Sequence, residues 1–520
     1  MLHQKAMDNR TEQCEPLLGA GVKYYANCCG CKVDQRKATQ KRCPVKELIL
    51  IGLIVLCNAL PIASLFPYLY FMVRDLHIGT TEDIGYYAGF IGSSFMFGRF
   101  LTSALWGMAA DKYGRKPVML IGIATVIIFN TLFGMSVNFW MAISTRFLLG
   151  SLNGLLGPVK AYATEVCREE HQALGLSMLG TMWGVGLIIG PAIGGFFAQP
   201  AEKYPSIFSK TSLFGRFPYL LPNICITAIA VIIFVSTLWL PETLHKHHLE
   251  SEDEGNGDPE LGSRGNPAEE NNEEQIDKRQ QVHKKSLFRN WPAMASIIIY
   301  CVFSLHDMAY SEIFSLWAVS PKTYGGLGFT TSDVGEILAI TGFGLLIFQL
   351  FIFSPLANLL GAILVIRIAA VWTIPVLTSY PFIAMLSGIW LWLVIISASL
   401  LRNILSVTMN TGMFLLLNNS VSQDQRGAAN GLAMTGMSLF KTFGPAGGGS
   451  LFALSQKRQH SSFLPGDHMV FFVINVTVLV VFLMTFEPFL PQSTNRHPSE
   501  VHNKPEGQEG MTEQEQQFTS

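Results

Sequence analysis

Trp106-Gly107-Met108-Ala109-Ala110-Asp111-Lys112-Tyr113-Gly114-Arg115-Lys116-Pro117 is a short charged run between two long apolar stretches, 84–108 and 117–136. A helix needs about 20 mostly apolar residues to cross the hydrocarbon core of a bilayer, and each flank is that long. The run between them must therefore turn at a membrane surface. Gly114 can supply the positive φ of a tight turn. Asp111 is expected at a helix N-terminus, where a carboxylate is favoured. Arg115 and Lys116 can pair with acids on neighbouring helices or with anionic headgroups. The plainer alternative is a basic anchor that only holds its loop on the inner side of the membrane.

Further stretches of the same kind lie at 47–73, 139–163, 172–199, 218–240, 292–319, 332–355, 362–380, 382–416, 427–454 and 468–489. With the first two they make twelve spans, numbered here in chain order. The composition agrees. Charged residues are 14% of 520, against roughly 25% in ordinary soluble domains. Mean hydropathy is +0.34. So few charges cannot cover a water-facing surface, and the bilayer must do the covering. A net charge of −1 removes the case for nucleic acid as a partner, and nine cysteines are too sparse for a disulfide framework. The expected fold class is an all-α membrane protein, twelve transmembrane helices in two six-helix pseudo-repeats.

Charge asymmetry orients the chain. With the N-terminus in the cytosol, the odd-numbered loops hold Arg74, Lys203, Lys210, Arg216, Lys322, Lys457 and Arg458, and most other Lys and Arg fall on the cytosolic side. Both termini are then cytosolic. The organisation is a tail at 1–46, a six-helix half at 47–240, an acidic linker at 241–290, a second half at 291–490 and a tail at 491–520. The halves repeat. Span five ends in Gly190-Pro191-Ala192-Ile193-Gly194-Gly195, and span eleven carries Gly444-Pro445-Ala446-Gly447-Gly448-Gly449. Spans four and ten each carry a lone arginine, Arg146 and Arg402. A six-plus-six repeat around a midplane site is transporter architecture.

Polar residues inside spans nominate the site. Arg146, Asn153 and Lys160 are spaced seven and seven, within about 40° on one face of a continuous helix, and should line a water-filled cavity. Lys160 suits an anionic substrate, though it could instead snorkel to the surface. Asp307, Tyr310, Ser311 and Phe314 share a face of span seven. Asp307 is the candidate proton-carrying carboxylate, His306 could share its proton, and Tyr310 and Ser311 would meet substrate. A helix-packing hydrogen bond is the alternative for Asp307. Glu312 lies about 140° round that helix and is set aside. Arg99 and Lys441 are expected in structural ion pairs. Cys28 and Cys31, and the cluster His245, His247 and His248, could bind metal in a regulatory way. No nucleophile, base and oxyanion donors converge, so enzyme chemistry and a cofactor are not expected.

The 106–117 run, with Gly107, Asp111, Gly114, Arg115 and Lys116 in place, resembles the signature loop of the major facilitator superfamily. Pro241-Glu242-Thr243-Leu244-His245, the N-terminal Cys-x-x-Cys and Leu156-Gly157-Pro158-Val159-Lys160-Ala161-Tyr162 resemble the plant zinc-induced-facilitator-like branch, of the drug:proton antiporter type. Cys29 departs from that branch, which has proline there. The resemblance implies that the loop latches the two halves when the cytosolic gate is closed. It implies that Arg146 takes part in proton coupling. It implies that Gly186, Gly190, Pro191, Gly194 and Gly195 form an antiporter pattern, with ordinary small-residue packing as the alternative. It further implies a monomeric, proton-coupled exporter of small carboxylate-bearing chelators such as nicotianamine or mugineic acids, contributing to zinc and iron homeostasis. The vacuolar membrane is favoured, with the plasma membrane as alternative. A symporter or uniporter for auxin, potassium or a drug-like compound, and a non-transporting receptor or scaffold, are the other readings.

Overall fold

The computed structural model describes residues 28–39, 43–244, 289–421, 425–459 and 465–491. The histidine cluster and most of the tails and linker lie outside them. Among the described residues all regular structure is helical.

Among the described residues nine helices are long and apolar enough to cross a membrane: Val45–Ala63, Arg115–Gly134, Leu174–Phe197, Leu220–Thr237, Trp291–Val319, Thr331–Phe351, Ala362–Ile383, Gly388–Asn419 and Asp467–Met484. The other three expected spans are helical too, but more polar or interrupted. Span two is Ile84–Tyr113, and span eleven is Arg426–Gln456. Span four is broken into Phe139–Leu152 and Leu156–Val166. These three carry the interior cations Arg99, Lys441, Arg146 and Lys160, which lower the hydropathy of spans two and eleven, while the break leaves each piece of span four too short. A charged side chain at membrane depth must face protein or water, so the least apolar helices are the ones that line the interior.

The break in span four corrects the expected continuous stripe. Pro158 would clash with the carbonyl of Gly154 in an unbroken helix and has no N–H to give it. The chain therefore leaves the helix at Asn153, with φ −95° and ψ 78°, and restarts at Leu156. Gly154 is pressed on Trp106, where an added Cβ would lie 2.3 Å from the indole. Span one is also shorter than expected. It ends at Ala63, and the helix Leu69–Asp75 follows after a turn containing Pro67.

Large apolar side chains cover the outside. Trp140 is 75% exposed and Trp390 67%, each near the start of its span. Those are equivalent places in the two halves, and both suit the headgroup level of a bilayer.

Among the described residues the halves meet closely at one end only. Gly89 of span two lies against Pro445 of span eleven, with an added Cβ 2.4 Å from the Pro445 carbonyl oxygen. Gly195 of span five lies against Gly335 and Thr331 of span eight, each 2.7 Å from such a Cβ. Lys203 donates to the Gly195 carbonyl at 2.5 Å and to Thr331 Oγ1. Lys457 Nζ is 2.6 Å from Asp83 Oδ1. All these contacts lie at the end opposite the 106–117 turn, here the far end. Toward the turn end, Gly180 of span five and Gly431 of span eleven have nothing within 4 Å of an added Cβ. The halves are thus joined at the far end and parted toward the turn.

Candidate functional site: a charged cavity between the halves

Asp307 lies midway along span seven, yet 30% of its side chain is accessible, so it opens on an internal cavity. Arg402 of span ten pairs with it, Nη2 to Oδ1 at 3.2 Å. Ser406, one turn further along span ten, donates to the same oxygen at 2.6 Å. The Arg402 guanidinium sits 3.4 Å above the Tyr310 ring, and the Tyr310 hydroxyl meets that of Tyr380 at 2.7 Å. Carboxylate, guanidinium and two phenols therefore form one connected group from spans seven, nine and ten.

Three more cations surround this cavity without a carboxylate of their own. Lys160 is exposed toward span eleven, its Nζ 3.9 Å from Met434 Sδ across the gap. Arg99 lies within its electrostatic reach, and Lys441 lies within reach of both Arg99 and Asp307. The expected structural ion pairs of Arg99 and Lys441 are absent among the described residues. Among the described residues Asp307 is the acid within electrostatic reach of Lys441, and no acid of the described residues acts on Arg99 or Lys160.

Other expected members are placed elsewhere. Arg146 is buried, donates to the Pro61 carbonyl at 3.0 Å and lies over the Phe133 ring at 4.9 Å. Asn153 is buried too, donating to Asn58 Oδ1 at 2.9 Å. The break in span four turns these two into the N-terminal half and leaves Lys160 alone at the cavity. His306 faces span twelve, its Nδ1 2.9 Å from Thr477 Oγ1, and so points away from Asp307. The Ser311 hydroxyl is spent on the carbonyl of Asp307 at 2.9 Å.

The 106–117 turn has a different polar arrangement from the one expected. Asp111 lies in the last turn of Ile84–Tyr113, not at a helix N-terminus. There the helix dipole disfavours a carboxylate, and Arg115 compensates with Nη1 at 2.5 Å and Glu165 as its second partner at 3.0 Å. The acid at the following helix N-terminus is Glu242, which accepts from the backbone N–H of Arg115 and of Lys116, each at 3.0 Å. Gly114 adopts φ +112°, and a Cβ there would meet Glu242 Oε2 at 2.5 Å. Gly107 has nothing within 4 Å of such a Cβ. Lys116 donates to the Leu238 carbonyl at 2.7 Å. These partners lie in the N-terminal half or, for Glu242, just past its last helix, and none comes from the second half. In the second half Gly361 repeats the positive φ, at 77°, without the charges.

The span-five glycines are contact surfaces. A Cβ at Gly186, Gly190 or Gly194 would come within 2.0–2.7 Å of Ala59, Ala63 or Ser64 on span one. Gly195 serves span eight, and Pro191 lies inside the helix. Cys28 and Cys31 are buried at the start of Cys29–Thr39. Among the described residues no three His, Cys, Asp or Glu are grouped to hold a metal ion.

Residues 51–325 match the sequence profile of the Major Facilitator Superfamily. A protein of Arabidopsis thaliana named zinc induced facilitator-like 1 is 54% identical over 473 residues, covering 90% of this chain and 97% of the other. The chain belongs to the major facilitator superfamily, among its zinc-induced-facilitator proteins. Another Arabidopsis relative, named a probable peptide/nitrate transporter, is 55% identical over 477 residues, 90% of this chain and 96% of its own. The crystal structure of a D-xylose-proton symporter shares the fold, with TM-score 0.65 and 13% identity over 86% of this chain and 98% of that one. The protein is thus a multi-pass membrane transporter. Sequence reasoning missed Arg402 as partner of Asp307, the open cations Arg99 and Lys441, and Glu242 in the turn. The repeat-equivalence of Arg402 with Arg146 was the available signal.

Proposed function

We propose that the protein is a proton-coupled antiporter for small amino-carboxylate solutes, of the chelator class to which nicotianamine and mugineic acids belong. The observation that carries this is the set Arg99, Lys160 and Lys441, in no ion pair among the described residues, around a cavity where Asp307 is the carboxylate those residues bring near. A solute with several carboxylates satisfies the cations. Its ammonium group can pair with Asp307, and a proton competes for the same carboxylate. Ammonium and proton cannot both occupy it, so binding one releases the other, which is exchange. Arg402 and Ser406 hold Asp307 in place for either occupant.

The positive charge gathered at the turn end supports a cytosolic location for that face, for both termini and for the linker between halves 47–240 and 291–490. The cavity then opens to the cytosol. The 106–117 turn serves as a latch that changes partners when the far end opens. Export into a vacuole, or across the plasma membrane, would place the protein in zinc and iron distribution, in keeping with the name of its relative.

The test is direction of movement in vesicles under an imposed pH gradient, with nicotianamine, mugineic acid, auxin, potassium and free zinc offered in turn. Uphill movement of the amino-carboxylates against the proton flow is expected. Movement with the protons, or transport of auxin or potassium alone, would sink the reading.

A further inference from the structure

Glu312 lies on span seven five residues beyond Asp307, turned toward the N-terminal half. It is 1% exposed. Gly92 of span two and Pro445 of span eleven enclose it. A Cβ added at Gly92 would stand 3.1 Å from Glu312 Oε2 and 3.0 Å from Pro445 Cβ. Neither carboxylate oxygen has a hydrogen-bond partner. The donors nearby are committed elsewhere: Ser93 gives its hydroxyl to the Thr442 carbonyl at 2.6 Å, and the Ala446 N–H goes to Ser93 at 2.8 Å.

The titratable groups around it are few. Arg146 of span four lies within electrostatic reach, and its Nε is likewise without a partner. Tyr68, following span one, faces Arg146 and is bonded to Asn223. On span eleven, Lys441 is directed to Asp307. On its own helix, Tyr310 is bonded to Tyr380. No charged residue of span two faces Glu312 among the described residues.

We infer that Glu312 is a proton-binding site at the seam between the halves, occupied while the far end is closed and emptied when spans two and eleven part there. An ionised carboxylate with no donor, sealed between a glycine and a proline, is costly, whereas the neutral acid fits that contact. When the seam opens, water reaches the carboxylate, and the free Nε of Arg146 can receive it. Proton binding and far-end closure are then one linked equilibrium: acid favours the closed seam, and rising pH favours the open one. This deepens the proposed antiport, on which it rests, by adding a pH sensor to it: Glu312 fills and empties on the far side alone, so it biases the conformation while Asp307 carries the exchanged proton.

The experiment is hydrogen–deuterium exchange on the purified full chain in lipid nanodiscs, with no substrate. Peptides covering 84–95 and 445–456 are followed at about pH 5 and about pH 7, after correction for the chemical exchange rate. This range starts near the ordinary glutamate value of about 4.3. In the native protein the far-end segments should open roughly tenfold more often at the higher pH. Glu312→Gln, which keeps the neutral shape, should stay protected at both. Glu312→Asp should keep the pH response, and it serves if the amide variant does not fold. Native protein without a pH response, or a Gln variant that retains it, overturns the inference. Asp307→Asn should leave this response in place. A failure of substrate exchange at Asp307 is therefore distinguishable from a failure at Glu312.

Discussion

Asp307 Oδ1 stands 3.2 Å from Arg402 Nη2, so the carboxylate of span seven and the lone arginine of span ten form one ion pair. Arg402 is 3% exposed and its acid 30%, so the pair presents the carboxylate to the cavity and keeps the guanidinium behind it. Tyr310 backs the guanidinium with its ring face. The acid is therefore positioned without being sealed.

Asp307→Asn should remove pH-driven transport while leaving membrane delivery intact. The amide keeps the shape and can still accept from Ser406, but it cannot take up and release a proton. The check is uptake in vesicles with and without a pH gradient, beside the amount of folded protein. Gradient-driven uptake at the native level would take Asp307 out of the mechanism.

Lys160→Ala should weaken binding of carboxylate substrates by roughly 1.5–3 kcal/mol, the scale of one charge-assisted hydrogen bond. Lys441→Ala should behave alike, and the two losses should fall short of additive, because the cations share one ligand. Lys160→Arg should restore part of the affinity. Affinities for a dicarboxylate chelator and for a neutral analogue decide the matter. Equal losses for both ligands would make these lysines structural.

Glu242→Ala should destabilise the N-terminal half by about 1–2 kcal/mol, since two backbone donors at a helix start lose their acceptor. Asp111→Ala should slow the conformational cycle more than it weakens binding, because the turn is remote from the cavity. Thermal unfolding tests the first. Substrate affinity set against transport rate tests the second.

Burial at the far end lowers Lys203 to about 8. The unfolded lysine, near 10.4, then binds more protons than the folded one between about pH 8 and 10.4, so stability rises with pH across that window. Unfolding midpoints of the native protein and of Lys203→Met should diverge there, with the native protein gaining. Parallel curves would show that Lys203 is solvated.

Much of the fold was legible because crossing a bilayer constrains helices by length and hydropathy, and all twelve spans are helical near their expected places. What escaped was local chemistry. The face shared by Arg146, Asn153 and Lys160 assumed an unbroken helix, and Pro158 overrode that periodicity. Glu312 stands about 140° round span seven from Asp307, which takes it away from that cavity, and only packing across the halves brings it within electrostatic reach of Arg146. Glu242 stands far from 106–117 in the chain, and only packing of the sixth span against the third brings it to Arg115. Residues met across spans cannot be read from spacing within one span.

The most direct measurement is substrate binding to the purified protein as a function of pH, with proton release followed by calorimetry in buffers of different ionisation enthalpy. If an ammonium group and a proton compete for Asp307, affinity for nicotianamine should fall as pH falls, by up to about tenfold per unit. About one proton should be released per molecule bound, and Asp307→Asn should release none. Affinity that rises on acidification, with protons taken up on binding, would contradict exchange at Asp307.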